Sequence, residues 1–188
     1  MRVIGGQYRS RVLHAPRGLE TRPTSDRLRE TLFNVLAPQI EGAVFLDLYA
    51  GSGAVGIEAL SRGAREAIFV EQADKALRVI RSNLAALGIH GNYALEPRGV
   101  TAGLRRLAEA ERKADLVFLD PPYAEDGEYA ATLNLLGGEC GNVLAAGALV
   151  VAEHEKRREL EMRYGRLMRY RVLKQGDAAL SFYRAESG

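Results

Sequence analysis

Between residues 44 and 152 the chain alternates short apolar runs with longer amphipathic stretches. The runs at 44–48, 67–70, 116–119 and 148–152 lack the polar alternation of a half-exposed strand, so they predict strands covered on both faces. Residues 54–62, 74–87 and 102–112 carry helical spacing, and 93–95 predicts a weaker third strand. Strands alternating with helices predict a doubly wound α/β sheet. The tail breaks this rhythm. Residues 167–173 and 179–184 flank Lys174-Gln175-Gly176-Asp177, which predicts a strand, a turn and an antiparallel return. At the other end, Val3-Ile4 and Val12-Leu13 around Gly5-Gly6 predict a small hairpin. Thr24 or Ser25 then caps a helix carrying Leu28, Leu32, Val35 and Leu36, which Pro38 and Gly42 are expected to end.

With 188 residues and 27% charged side chains, the chain suits one ordinary domain, or one with a small appendage. No apolar run approaches the roughly 20 residues of a membrane span, and the N-terminus lacks a signal-peptide apolar core. The single Cys140 has no disulfide partner, and no Cys/His cluster has metal-ligand spacing, so a reduced, cytoplasmic protein without a metal is expected. The net charge of +2 hides an asymmetry: residues 1–37 hold seven arginines against three acids, whereas the rest holds 19 basic and 21 acidic side chains. A cationic N-terminal segment on a nearly neutral body, rich in arginine with its planar fork, suits contact with nucleic acid.

Two motifs carry chemistry. The first strand runs through Asp47 into Tyr49-Ala50-Gly51-Ser52-Gly53-Ala54-Val55-Gly56, a G-x-G-x-x-G turn between a strand and a helix, where backbone N–H groups can approach a ligand. Glu71 ends the second strand, 20 residues beyond Gly51, where a carboxylate can accept both ribose hydroxyls of an adenosine-type ligand. Dinucleotides and S-adenosylmethionine share this geometry. Asp47 beside the turn would repel a pyrophosphate yet can hold a cationic amino-acid end, which points to S-adenosylmethionine. The second motif, Asp120-Pro121-Pro122-Tyr123, follows the fourth strand. Its two prolines remove two backbone donors and stiffen an extended segment, leaving carbonyls free to accept. Asp120 adds a carboxylate acceptor and Tyr123 a stacking face, which together suit a planar amine on a base.

Asp120-Pro121-Pro122-Tyr123 resembles motif IV of class I amino-methyltransferases. More narrowly, Met1-Arg2-Val3-Ile4-Gly5-Gly6, Arg22-Pro23-Thr24-Ser25-Asp26-Arg27-Leu28-Arg29-Glu30 and Leu32-Phe33-Asn34 resemble the RsmD family, and the similarity continues through 47–64 to Ser181-Phe182-Tyr183. The resemblance implies a Rossmann-like, mostly parallel seven-stranded sheet with an antiparallel C-terminal strand and a small N-terminal hairpin-helix extension. Residues 1–41 would form an RNA-binding arm and residues 42–188 the catalytic domain. It implies S-adenosylmethionine-dependent methylation of guanine N2 in small-subunit (16S) ribosomal RNA, presented as a subunit or an assembly intermediate. The catalytic positions would be Asp120, Pro121, Pro122 and Tyr123. Asp47, Tyr49, Ala50, Gly51, Ser52, Gly53, Glu71, Gln72, Arg98, Gly99 and Asp120 would hold the cofactor, and Arg2, Arg9, Arg11, Arg22, Thr24, Arg27 and Arg29 the RNA. One departure stands out: in Leu95-Glu96-Pro97-Arg98-Gly99 the acid that related enzymes use against adenine comes one or two places early, which shifts that contact to backbone near Arg98-Gly99.

Two other readings stay open: adenine-N6 methylation of DNA or RNA, since the same motif accepts either amine, and a catalytically silent RNA-binding assembly factor. Protein-glutamine methylation is disfavoured because such enzymes begin the motif with Asn. His14, His90 and His154 are scattered and suggest no triad, and Cys140 reads as a packing residue. The run from Glu153 to Glu159 reads as a solvated face, with a substrate-side role left open for Glu153.

Overall fold

The structure is a computed structural model and describes residues 1–15, 24–122 and 127–186. After α1 (Asp26–Ile40), strands and helices alternate as β1 (Val44–Leu48), α2 (Ala54–Ser61), β2 (Glu66–Val70), α3 (Asp74–Ala86), β3 (Tyr93–Glu96), α4 (Val100–Glu109), β4 (Ala114–Leu119), α5 (Glu128–Gly137) and β5 (Leu144–Glu155). Then come β6 (Arg163–Tyr164), β7 (Leu167–Gln175) and β8 (Ala178–Ala185). They form one sheet in the order β3-β2-β1-β4-β5-β8-β7-β6. The first five strands are parallel, and β8 enters antiparallel beside β5. The sheet has eight strands rather than the expected seven. The extra one is the two-residue edge piece β6, too short to show a period in the sequence.

The apolar runs are continuous because alternate residues enter different cores. Leu46, Leu48, Val117, Leu119, Val150 and Ala152 face α4 and α5, with Leu104, Leu133 and Leu136 opposite. Phe45, Leu116, Phe118, Leu149 and Val151 face α1, packing on Leu32, Phe33 and Leu36. A third cluster joins Val3 and Leu13 of the hairpin to Ile57 of α2, Phe69 of β2 and Ile80 and Leu84 of α3. Residues 1–15 and α1 therefore share the core of the sheet.

Local differences have simple causes. Ser25 caps α1, its hydroxyl accepting from Leu28 N–H at 3.2 Å. Pro38 lies inside the last turn instead of ending the helix, where its ring removes one hydrogen bond and little else follows to be disrupted. No element was expected between residues 123 and 148, yet α5 lies there. Its buried side chains Tyr129, Thr132, Leu133 and Leu136 mix polar with apolar types, which blurs the stripe. The hairpin forms as expected, with Arg2 bridging Val12. No described helix is long and apolar enough to cross a membrane.

Candidate active site

The strand order reverses direction between β1 and β4, and in such sheets ligands sit outside the carboxyl ends of the strands at that point. Both motifs meet there. β1 and β4 pair in parallel, with Leu48 opposite Leu119. The glycine turn and Asp120 therefore leave the sheet side by side.

The turn is built for backbone exposure. Tyr49, Gly51 and Gly53 all have positive φ, at 62°, 56° and 76°. Gly56 serves packing instead, since a Cβ there would lie 2.3 Å from the Phe69 ring. Tyr49 tolerates its unusual conformation because its hydroxyl is fastened to α5, 2.6 Å from Glu128 Oε2 and 2.7 Å from Thr132 Oγ1. Asn83 of α3 holds the turn from the other side, donating to the Ser52 carbonyl at 3.1 Å and to that of His14 at 3.0 Å. Ala50 is buried and Ser52 partly exposed.

Glu71 reaches back to this turn. Its Oε2 accepts from Gly51 N–H at 2.8 Å and its Oε1 from Ala73 N–H at 2.8 Å. Gln72 and Gly99 are brought together, since a Cβ on Gly99 would lie 3.0 Å from Gln72 Oε1. Arg98 pairs with Glu96, and its N–H donates to the Glu96 carbonyl at 2.9 Å. Glu96 is thus engaged by a cation.

Carboxylates stand on neighbouring strands: Asp47 in β1, Asp120 just past β4 and Glu153 in β5. Asp47 is buried and accepts from Gly56 N–H at 2.9 Å. Burial outweighs that hydrogen bond and, with the Glu71 charge adding to it, pushes Asp47 up to about 8. Asp120 is held well above the usual carboxylate range, chiefly by burial, then by the charges of Glu153 and Asp47. Pro121 is buried and Pro122 exposed. Tyr123 and Arg22 lie outside the described residues. At the β7–β8 turn opens a cleft of about 740 Å³ whose lining includes Ser25, Arg27, Glu153, Lys156, Arg157 and Lys174.

The arginines expected to meet RNA divide into two sets. Arg2, Arg9, Arg11 and Arg27 are exposed, with Arg11 donating to the Ala86 carbonyl at 3.1 Å. Arg29 is placed elsewhere than expected: its side chain is fully buried, 3.0 Å from Asp26 and 3.6 Å from Glu58, and it donates to the Arg2 carbonyl. Thr24 is likewise buried, its hydroxyl donating to Glu153 Oε2 at 2.6 Å. Both residues tie the N-terminal segment to the body. Glu58 was overlooked in the sequence. It collects the N–H groups of Ile4 and Gly5 at 2.8 and 2.9 Å together with Arg62 at 2.7 Å. His154 is a satisfied core histidine, its ring nitrogens 2.8 Å from Ser181 Oγ and 2.8 Å from the Glu155 carbonyl. Among the described residues no group of three or more His, Cys, Asp or Glu is placed to hold a metal ion.

Comparison with known proteins places this architecture. The profile of the family described as Conserved hypothetical protein 95 matches residues 1–184. The chain belongs to that family. Among its relatives, the ribosomal RNA small subunit methyltransferase D of Escherichia coli (strain K12) is 37% identical over 187 residues, covering 100% of this chain and 91% of its own. The Haemophilus influenzae protein of the same name is 35% identical over 161 residues, covering 85% of this chain and 81% of its own. The solved structure of hypothetical protein TTHA0928 from Thermus thermophilus superposes with a TM-score of 0.81 at 30% identity, over 97% of this chain and 98% of that one. The match takes in the N-terminal segment, with the hairpin and α1.

Proposed function

We infer that this chain is an S-adenosylmethionine-dependent methyltransferase acting on the exocyclic N2 amine of a guanine in small-subunit ribosomal RNA. The observation that carries this reading is the carboxylate Asp120 at the end of β4 beside the glycine turn of β1. It occurs in a chain 37% identical over its whole length to a small-subunit RNA methyltransferase. The residues present fit the cofactor. The open turn at Gly51, the Glu71 carboxylate beside it and the buried Asp47 supply acceptors for a ribose diol and a cationic amino-acid end. Gln72, Arg98 and Gly99 border the place for the adenine.

Bound S-adenosylmethionine supplies an electrophilic methyl group. The chain's own residues must make a poor nucleophile ready for it, because the guanine amine delocalises its lone pair into the ring. Asp120 accepts an N2 hydrogen and, with the Pro121 carbonyl, favours a pyramidal nitrogen whose lone pair is aimed rather than conjugated. Positioning of this kind supplies much of the acceleration. Burial makes the Asp120 carboxylate more basic, so it is suited to take the proton that the methylated nitrogen sheds. Tyr123 stacks on a base withdrawn from its neighbours. Arg2, Arg9, Arg11, Arg22 and Arg27, all within residues 1–41, contact RNA phosphates, which set register without reading sequence. The substrate is the RNA in a small subunit or an assembly intermediate, and the work is cytoplasmic.

Incubation with methyl-labelled cofactor and unmodified small subunits, followed by nucleoside digestion, tests the reading. Label in N2-methylguanosine is expected. Label in N6-methyladenosine would overturn the guanine assignment in favour of the adenine alternative.

Two expectations concern the cofactor. Glu71→Ala should weaken its binding at least tenfold, because each hydrogen bond to a charged acceptor contributes about 1.5–3 kcal/mol. An unchanged dissociation constant by calorimetry would remove the ribose role. Asp47, raised to about 8, must lose its proton to meet a cationic amino group. Affinity should therefore fall as pH drops from about 8 to 6, by up to about tenfold per unit, and Asp47→Asn should flatten that slope. A slope that persists in Asp47→Asn assigns the titration to another group.

A further inference from the structure

Asp120 has a neighbour that the reaction described above leaves unused. β4 and β5 are parallel, with Leu119 opposite Ala152, so the next residues stand side by side: Asp120 just past the end of β4, and Glu153 still within β5, where it pairs with Leu180 of β8. The Glu153 residue is 3% exposed and borders the cleft of about 740 Å³ at the β7–β8 turn. Contacts among the described residues hold it in place. Thr24 Oγ1 donates to its Oε2 at 2.6 Å, and the Tyr129 hydroxyl donates to its backbone carbonyl at 2.9 Å. A buried and a half-buried carboxylate placed together repel each other and lose hydration. A ligand edge rich in donors relieves both costs.

Guanine presents such an edge, with N1–H adjacent to the N2 amine. Adenine presents an acceptor at N1, and an ionised carboxylate has no proton to offer it. We propose that Glu153 selects the base: its carboxylate accepts from guanine N1–H while Asp120 accepts from the N2 amine, and Thr24 is the positioning residue that orients Glu153. The proposal rests on the guanine reading given under Proposed function and adds the residue that enforces it. It also gives the buried Thr24 a part in the site.

The base analogue 2,6-diaminopurine separates charge recognition from bulk structure, since it keeps the N2 amine but carries a lone pair at N1. Small subunits are reconstituted with RNA bearing either guanine or the analogue at the nucleotide that the wild-type protein labels. Wild type should prefer guanine by up to about a hundredfold, the discrimination that a well-placed pair of base-edge hydrogen bonds supplies. Glu153→Gln keeps the volume and offers an amide N–H to the N1 lone pair, so the preference should narrow by about tenfold or more. Its cofactor affinity should stay at the wild-type value. Thr24→Val keeps the charge and loosens its hold; it should lower guanine turnover and narrow the preference several-fold, and it decides the question if Glu153→Gln does not fold. An unchanged preference in the folded variants, or a wild type that takes both bases equally, overturns the proposal and leaves the methyltransferase reading standing. A wild type that labels no guanine overturns both.

Discussion

Replacing Asp120 by alanine is expected to lower turnover by roughly 10²–10⁴-fold, the range usual for loss of a positioned proton acceptor, with cofactor affinity kept within a few-fold. The asymmetry follows from where the carboxylate sits. Asp120 follows β4, beside Glu153 of β5, whereas the acceptor fitted to the cofactor, Glu71, follows β2 on the other side of β1. Asp120→Asn should recover little. Its amide can turn an oxygen toward the amine, but it cannot take up the proton that the nitrogen releases. Single-turnover rates at saturating cofactor, with calorimetric titration of each variant, check this. If cofactor binding collapses while turnover at saturation survives, the roles of Asp120 and the glycine-turn residues are exchanged.

Arg29→Ala should be the most destabilising of the arginine replacements discussed, costing about 3 kcal/mol and roughly 6–12 °C in melting temperature. The guanidinium is fully buried between Asp26 and Glu58 and reaches the Arg2 carbonyl. Removing it leaves Glu58 with Arg62 and the two hairpin N–H groups but takes one cation from a buried network. Because the hairpin hangs on Glu58, its amides near Ile4 and Gly5 should also exchange faster. The dependence of RNA affinity on salt should not change, since a buried guanidinium releases no counterions. A variant that melts like wild type but loses RNA affinity would return Arg29 to the RNA-facing set.

Arg29 also shows where a sequence stops being informative. Its position is consistent with burial, four residues before Phe33 and three before Leu32 on the face that packs against the sheet. A charged residue in an apolar stripe can snorkel to solvent or pair inside. The choice depended on Glu58, a residue of α2 29 positions away, and on a carbonyl of the hairpin. Charge arithmetic over residues 1–37 could count this arginine but not locate its partners. Thr24 is parallel: read as a possible cap and RNA contact, it is bonded to a carboxylate 129 residues away while Ser25 caps the helix.

What the sequence determined by itself was whatever depends on local pattern. Apolar runs without alternation marked the parallel strands, the glycine spacing after 44–48 marked the ligand turn, and two prolines after an acid marked the end of β4. Period and backbone stereochemistry act within a few residues, so these features survive without a fold. The tertiary structure decided what depends on register and on partners far apart in the chain. The pairing of β4 with β5 set Asp120 beside Glu153, although both had been visible as single acids following apolar runs. Burial then raised the basicity of Asp47 and Asp120. Packing on Ile57, Phe69 and Ile80 joined the hairpin to the body, and a short mixed-polarity helix, α5, supplied the Glu128 and Thr132 that fasten Tyr49. Desolvation and charge coupling fall steeply with distance, and distance between such residues exists only once the sheet has closed.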